Sequence, residues 1–155
     1  MIPETTPPTH TVLKYQMFKD KILHKIQEYD LEKLQRQYDS HPNYGKIDIP
    51  NFLPQEITQQ CADELDQLPL EIGKKFTRKG SCMYEYNKLQ HTPIQEQLVN
   101  AMHSSEFIRW IEQLSGVEKL IPDPHLIGAG YMKSFKGDSL KVHTDFNWVE
   151  ELHLH

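Results

Sequence analysis

Cysteine is scarce in this chain. Only two occur in 155 residues, Cys61 and Cys82, and they stand apart, outside any C-x-x-C pattern. That argues against a disulfide framework and fits a reducing compartment. No apolar run approaches the length of a bilayer span. Hydrophobic residues make up 37% of the chain and its mean hydropathy is -0.66, values of a polar chain that stays in water. Nor is there an excess of positive charge. The formal net charge is -5 and the pI is near 6.0, which leaves no general basic surface for nucleic acid. The N-terminus has neither a basic n-region nor an apolar h-region, so no secretory signal is expected. The composition therefore points to a cytoplasmic protein with no membrane and no nucleic-acid partner, and 155 residues suffice for one domain with a core.

What is present begins with helices. Met1 to Thr11 contains three prolines and reads as a flexible tail. From Val12 to Tyr38 apolar residues recur at helical spacing through Leu13, Met17, Ile22, Ile26, Tyr29, Leu31 and Leu34, which predicts one long helix or two broken near Asp30. Such a helix packs on a sheet as scaffold or binds a partner helix. Ser40 to Gly45 is a turn by composition, and Lys46 to Phe52 alternates as a strand would, with Ile47 and Ile49 on one face. Pro54 opens a helix whose buried stripe is Ile57, Cys61, Ala62 and Leu65.

Lys74 to Asn87 predicts two short strands around Lys79-Gly80. The basic cluster Lys74, Lys75, Arg78 and Lys79 reads as a solvated hairpin or as a contact for phosphate. Tyr84 and Tyr86 read as half-buried strand residues or as the lining of a cleft. Thr92-Pro93-Ile94-Gln95 carries a capping-box pattern for the next helix. A further helix follows, capped at Ser104 or Ser105. It presents Phe107, Ile108, Ile111 and Leu114, with Trp110 beside them, and stops at Gly116. His91, His103 and His125 read as structural.

The chemistry concentrates between Leu120 and Asn147. Leu126 to Phe135 predicts a strand marked by Gly128 and Gly130, Gly137-Asp138 a tight turn, and Leu140 onward a second strand through His143-Thr144-Asp145. Residues two apart on an extended chain share a face, so His143 and Asp145 can grip one ion. One imidazole and one carboxylate are two-thirds of the facial triad that holds non-haem Fe(II) with open positions. By itself an H-x-D is a common pattern.

Taken whole, IPDPHLIGAGYMKSFKGDSLKVHTDFN resembles the Fe(II)/2-oxoglutarate-dependent dioxygenases of prolyl 4-hydroxylase type. The match covers Ile121 to Pro124, Gly128 to Gly130, Gly137, and His143 to Asn147. The earlier Ile49-Pro50-Asn51-Phe52-Leu53-Pro54 is similar to the strand and F-L-P opening of the same group. The resemblance implies an α+β chain in which N-terminal helices support the first strands of a double-stranded β-helix, a cupin-like jelly roll. Helical support would run over residues 12–118 and the jelly roll would start at 119–155, within a single domain 12–155.

It also implies His143 and Asp145 as metal ligands, Fe(II) and 2-oxoglutarate as cofactor and cosubstrate with ascorbate as reductant, and hydroxylation of a peptidyl, amino-acid or small-molecule substrate. Phe135 stands where the family often places a Tyr whose hydroxyl meets the cosubstrate. Tyr131 and Lys133, on the same strand face, are the implied substitutes. Asn147 either hydrogen-bonds near the centre or caps a strand.

The family's second His and its basic residue for the far carboxylate are expected beyond His155, so the chain reads either as a fragment of such an enzyme or as a natively truncated one. In the native case a second copy would cover the open barrel edge. Two other readings stand beside this one. One is an inactive remnant that acts as an interaction module through residues 12–38. The other is a small metal-binding protein in which a reversing loop brings His153 and His155 to His143 and Asp145.

Overall fold

The computed structural model describes residues 9–42, 44–78, 81–126 and 129–139. Five helices and a three-stranded antiparallel sheet are arranged within them. The long periodic stretch near the N-terminus is two helices, α1 (Thr9–Gln27) and α2 (Leu31–Asp39), so α1 starts three residues before the expected Val12. Asp30 is the reason for the break. Its backbone is extended, and its carboxylate accepts the amide of Lys33 at 3.0 Å, which starts a new helix. The buried stripe of α1 is Phe18, Ile22 and Ile26 at i, i+4 and i+8. Met17, expected inside, is 41% exposed, because Phe18 takes the inward position.

Lys46 to Phe52 is a correction: it forms no strand and turns at Pro50-Asn51. Pro50 cannot donate to a ladder, and Asn51 adopts a left-handed φ of 54° that no strand continues through. Ile47, Ile49 and Phe52 instead pack directly on the helices. Helix α3 (Gln55–Gln67) follows, with Ile57 wholly buried and Cys61 half-buried, while Ala62 lies exposed.

Strands β1 (Lys74–Arg78) and β2 (Ser81–Tyr86) form the expected hairpin, pairing Lys75 with Tyr84 and Phe76 with Met83. Helices α4 (Pro93–Met102) and α5 (Ser105–Ser115) intervene before β3 (Tyr131–Lys133) joins the far side of β2, pairing Tyr86 with Tyr131 and Tyr84 with Lys133. The sheet therefore draws on both sides of the boundary expected near residue 118. Helix α5 matches its pattern: Ser104 accepts the Phe107 amide, and Gly116 closes it at φ 71°.

Helix α4 does not match its pattern. The Thr92 side chain makes no capping bond. Glu64 of α3 accepts the amides of Ile94 and Gln95 at 2.8 and 2.9 Å instead. A carboxylate on two orphan donors at a helix N-terminus is favoured by both hydrogen bonding and the macrodipole.

Two apolar clusters hold the helical layer together. One centres on Phe18, Ile22, Ile57 and Ala101, the other on Ile26, Leu34, Trp110 and Leu114. Phe52 and Phe107 belong to both, with Phe52 stacked on Trp110 at 5.9 Å and 6.1 Å from Phe107. None of the described helices is long and apolar enough to cross a membrane.

Candidate functional site

The approach to the H-x-D pair is set by two glycines and an aspartate. Gly130 lies at φ 135°, and a Cβ there would stand 2.7 Å from the Tyr86 carbonyl oxygen and 3.2 Å from the Asn87 Cα. Only a residue without a side chain lets β3 approach β2 this closely. Gly137 sits at φ 101° in the turn that follows. The Asp138 amide donates to the Phe135 carbonyl at 2.9 Å, and the Asp138 carboxylate accepts the Phe135 amide at 2.7 Å, so the turn is closed from both sides. The strand predicted over Leu126 to Phe135 is shorter than expected, with ladder pairing limited to Tyr131–Lys133.

His143, Asp145 and Asn147, together with His153 and His155, lie outside the described residues. Tyr131 and Lys133 lie within them, and both face α3. Lys133 Nζ donates to the Leu68 carbonyl at 3.2 Å, at the C-terminus of α3, where a cation is favoured. The same nitrogen lies 5.8 Å from the Tyr86 ring. The Tyr131 hydroxyl is sealed from solvent with no well-formed hydrogen bond among the described residues. Burial, and then the Cys61 thiol and Glu64 carboxylate beside it, push its pKa well above the ordinary 10.0 of tyrosine. Burial likewise raises the Cys61 thiol. Met132, between the two, points to the opposite face and is 45% exposed.

The remaining candidates separate. Lys74 and Lys75 are consecutive on β1 and so point to opposite faces, which divides the expected basic cluster; Lys75 lies 6.0 Å from the Tyr84 ring. Tyr86 is buried and Tyr84 half-buried, both on the face that carries Tyr131 and Lys133. His91 is exposed in a 3-10 turn. The His125 amide donates to Asp123, and burial lowers the pKa of His103, which Asp123 partly offsets. Among the described residues no three His, Cys, Asp or Glu side chains converge on a metal-sized space.

Comparison with family models, curated proteins and solved structures finds no match to this chain. The site therefore rests on the residues themselves. Sequence reasoning missed the Glu64 cap and the seat of Lys133 on the end of α3. Both join side chains and backbone more than 29 residues apart, and no local pattern encodes them.

Proposed function

We propose that this chain is a 2-oxoglutarate/Fe(II)-dependent oxygenase of the hydroxylase type, or a portion of one, with β1 to β3 as opening strands of its jelly roll. One observation carries the reading. Of the glycines that the resemblance marks, Gly130 and Gly137 lie among the described residues, and both occupy backbone positions that disfavour any side chain. They do so in the order glycine, strand, glycine-containing turn that leads in sequence to His143. Helix α3 against the face of the sheet that carries Tyr131 and Lys133 suits the same architecture.

His143 and Asp145 would hold the metal, and an imidazole with a carboxylate suits Fe(II). When bound, that ion supplies oxygen activation coupled to oxidative decarboxylation of 2-oxoglutarate to succinate. The chain's own part is positioning: the turn after β3 would set where the ligand segment starts, and α3 meets β3 through Tyr131 and Lys133. Since Tyr131 and Lys133 are engaged with α3, a cosubstrate contact from either needs that engagement to open.

The test is succinate release by the purified chain given Fe(II), 2-oxoglutarate and ascorbate. Metal-dependent release that disappears in His143→Ala and Asp145→Ala, with helicity unchanged, is expected. Metal binding lost in His153→Ala or His155→Ala, without turnover, would identify a small metal-binding protein instead. Neither activity, with a partner captured by residues 12–38, would identify an interaction module.

A further inference from the structure

Strand β1 is an outer strand of the sheet, with β2 on one side and, among the described residues, no strand on the other. Its pairing with β2 runs without a slip from Lys74↔Glu85 to Arg78↔Ser81, so it has no bulge, and it contains no proline. In such a ladder every second residue turns its amide and carbonyl away from the partner strand. The helical layer does not reach it. Lys74, Lys75, Phe76 and Thr77 are all exposed, whereas Cys82 to Tyr86 of β2 are half-buried or buried. The other outer strand, β3, is only three residues long, and its chain runs on through the turn at Phe135–Asp138. Among the described residues β1 is therefore the longer and more regular open edge.

Native proteins blunt such an edge with a proline, a bulge, a covering helix or charge. Strand β1 has only the charge. Its sequence, Lys-Lys-Phe-Thr-Arg, holds three cations and no anion in a chain whose net charge is -5. That pattern turns away a second copy of itself. Antiparallel self-pairing centred on Phe76 sets Lys74 against Arg78, and parallel pairing in register sets each cation against its own copy. Like charges directly opposite are destabilising. An acidic strand meets no such penalty. It finds a cation at three of the five positions and, at the centre, the ring of Phe76, which is 40% exposed.

We propose that β1 takes up an extended acidic segment of another protein as an added strand. Backbone amides and carbonyls supply the ladder, and the charges of Lys74, Lys75 and Arg78 select for carboxylates. The segment that fits best carries an apolar residue opposite Phe76 with acidic residues on either side. This activity goes beyond the oxygenase reading and needs no metal centre.

The test is a fluorescence-anisotropy titration of the full chain in chelator-treated, low-salt buffer without 2-oxoglutarate. The probe is a labelled peptide containing Glu-Thr-Val-Glu-Glu, which in antiparallel register sets acids against Arg78, Lys75 and Lys74. Controls are the same peptide with Gln for every Glu, and two peptides N-methylated on the odd or on the even residues. Saturable binding of the acidic peptide is expected, about tenfold or more weaker for the Gln peptide. One N-methylated peptide should lose binding and the other keep it, because only one set of amides faces the edge. Lys75→Glu should weaken binding to a similar extent while far-UV dichroism stays unchanged. No saturable binding, equal binding of the Gln peptide, equal binding of the two N-methylated peptides, or unaltered binding by a folded Lys75→Glu would each overturn the proposal. Because neither metal nor cosubstrate is present, its failure is separable from any failure of the oxygenase reading.

Discussion

Gly130 and Gly137 are both glycines at positive φ, but they are constrained differently. A Cβ at Gly137 would meet nothing within 4 Å, so alanine there suffers only backbone strain. A Cβ at Gly130 would also collide with the Tyr86 carbonyl, which the sheet holds in place. Gly137→Ala should therefore cost about 1 kcal/mol and Gly130→Ala about 3 kcal/mol or more. Urea unfolding midpoints read the difference, and equal costs would mean that β3 does not lie as closely on β2 as described. Tyr131 belongs to the same scale. Its folded pKa is raised above 10.0, so its contribution to stability is intact below that value. As pH rises past it, the unfolded chain ionises while the folded one resists, and stability falls. Tyr131→Phe should flatten this alkaline loss and cost little at neutral pH, since the hydroxyl it removes is already poorly bonded. The position of this residue also shows what spacing can and cannot reveal. Alternation correctly put Tyr131 and Lys133 on one face. It could not say that this face meets α3, because that depends on where a helix 65 residues away packs.

At the scale of elements, the start of α4 sets a local signal against a distant one. Thr92 and Gln95 make a capping box on paper, yet Glu64 caps the helix and the Thr92 hydroxyl is left unpartnered. Glu64→Ala should lower stability by about 1–2 kcal/mol, the upper part of the range for a lost cap. Thr92→Val should be neutral or slightly stabilising, because it removes a buried group with no bond to lose. Comparing the two variants by thermal or urea unfolding decides which residue is the cap. The helices were legible because apolar residues spaced three and four apart need no tertiary partner to be recognised, and Asp30, Ser104 and Gly116 mark their ends by local chemistry. The segment 46–52 was misread for a related reason. Its alternating Ile47 and Ile49 serve equally for a strand or for an extended chain laid on helices. Only a pairing partner distinguishes the two, and sequence does not show partners.

At the scale of the whole molecule, the question is whether two apolar clusters make one cooperative unit. The first joins α1, α3 and α4, and the second joins α1, α2 and α5. Phe52 is common to both and is ringed by Tyr29, Phe107 and Trp110 at centroid distances of 6.3, 6.1 and 5.9 Å. It comes from the irregular stretch between α2 and α3, so the segment expected as a strand supplies one link between the clusters, beside Phe107 of α5. Helices α1 and α5 also touch both, α1 through Phe18 and Ile22 on one side and Ile26 on the other, and α5 through Phe107. If Phe52 couples the clusters, unfolding of the native chain is a single transition by both tryptophan fluorescence and far-UV dichroism. Phe52→Ala should then cost about 3 kcal/mol. The loss should exceed that of Ile26→Val, about 1 kcal/mol, which thins one cluster and leaves the link. It should also separate the two probes in a Trp148→Phe background, where fluorescence reports Trp110 in the second cluster, while helices α3 and α4 rest on the first. Coincident transitions in the variant would place the coupling in α1 and in Phe107 of α5 instead and leave Phe52 as an ordinary core aromatic.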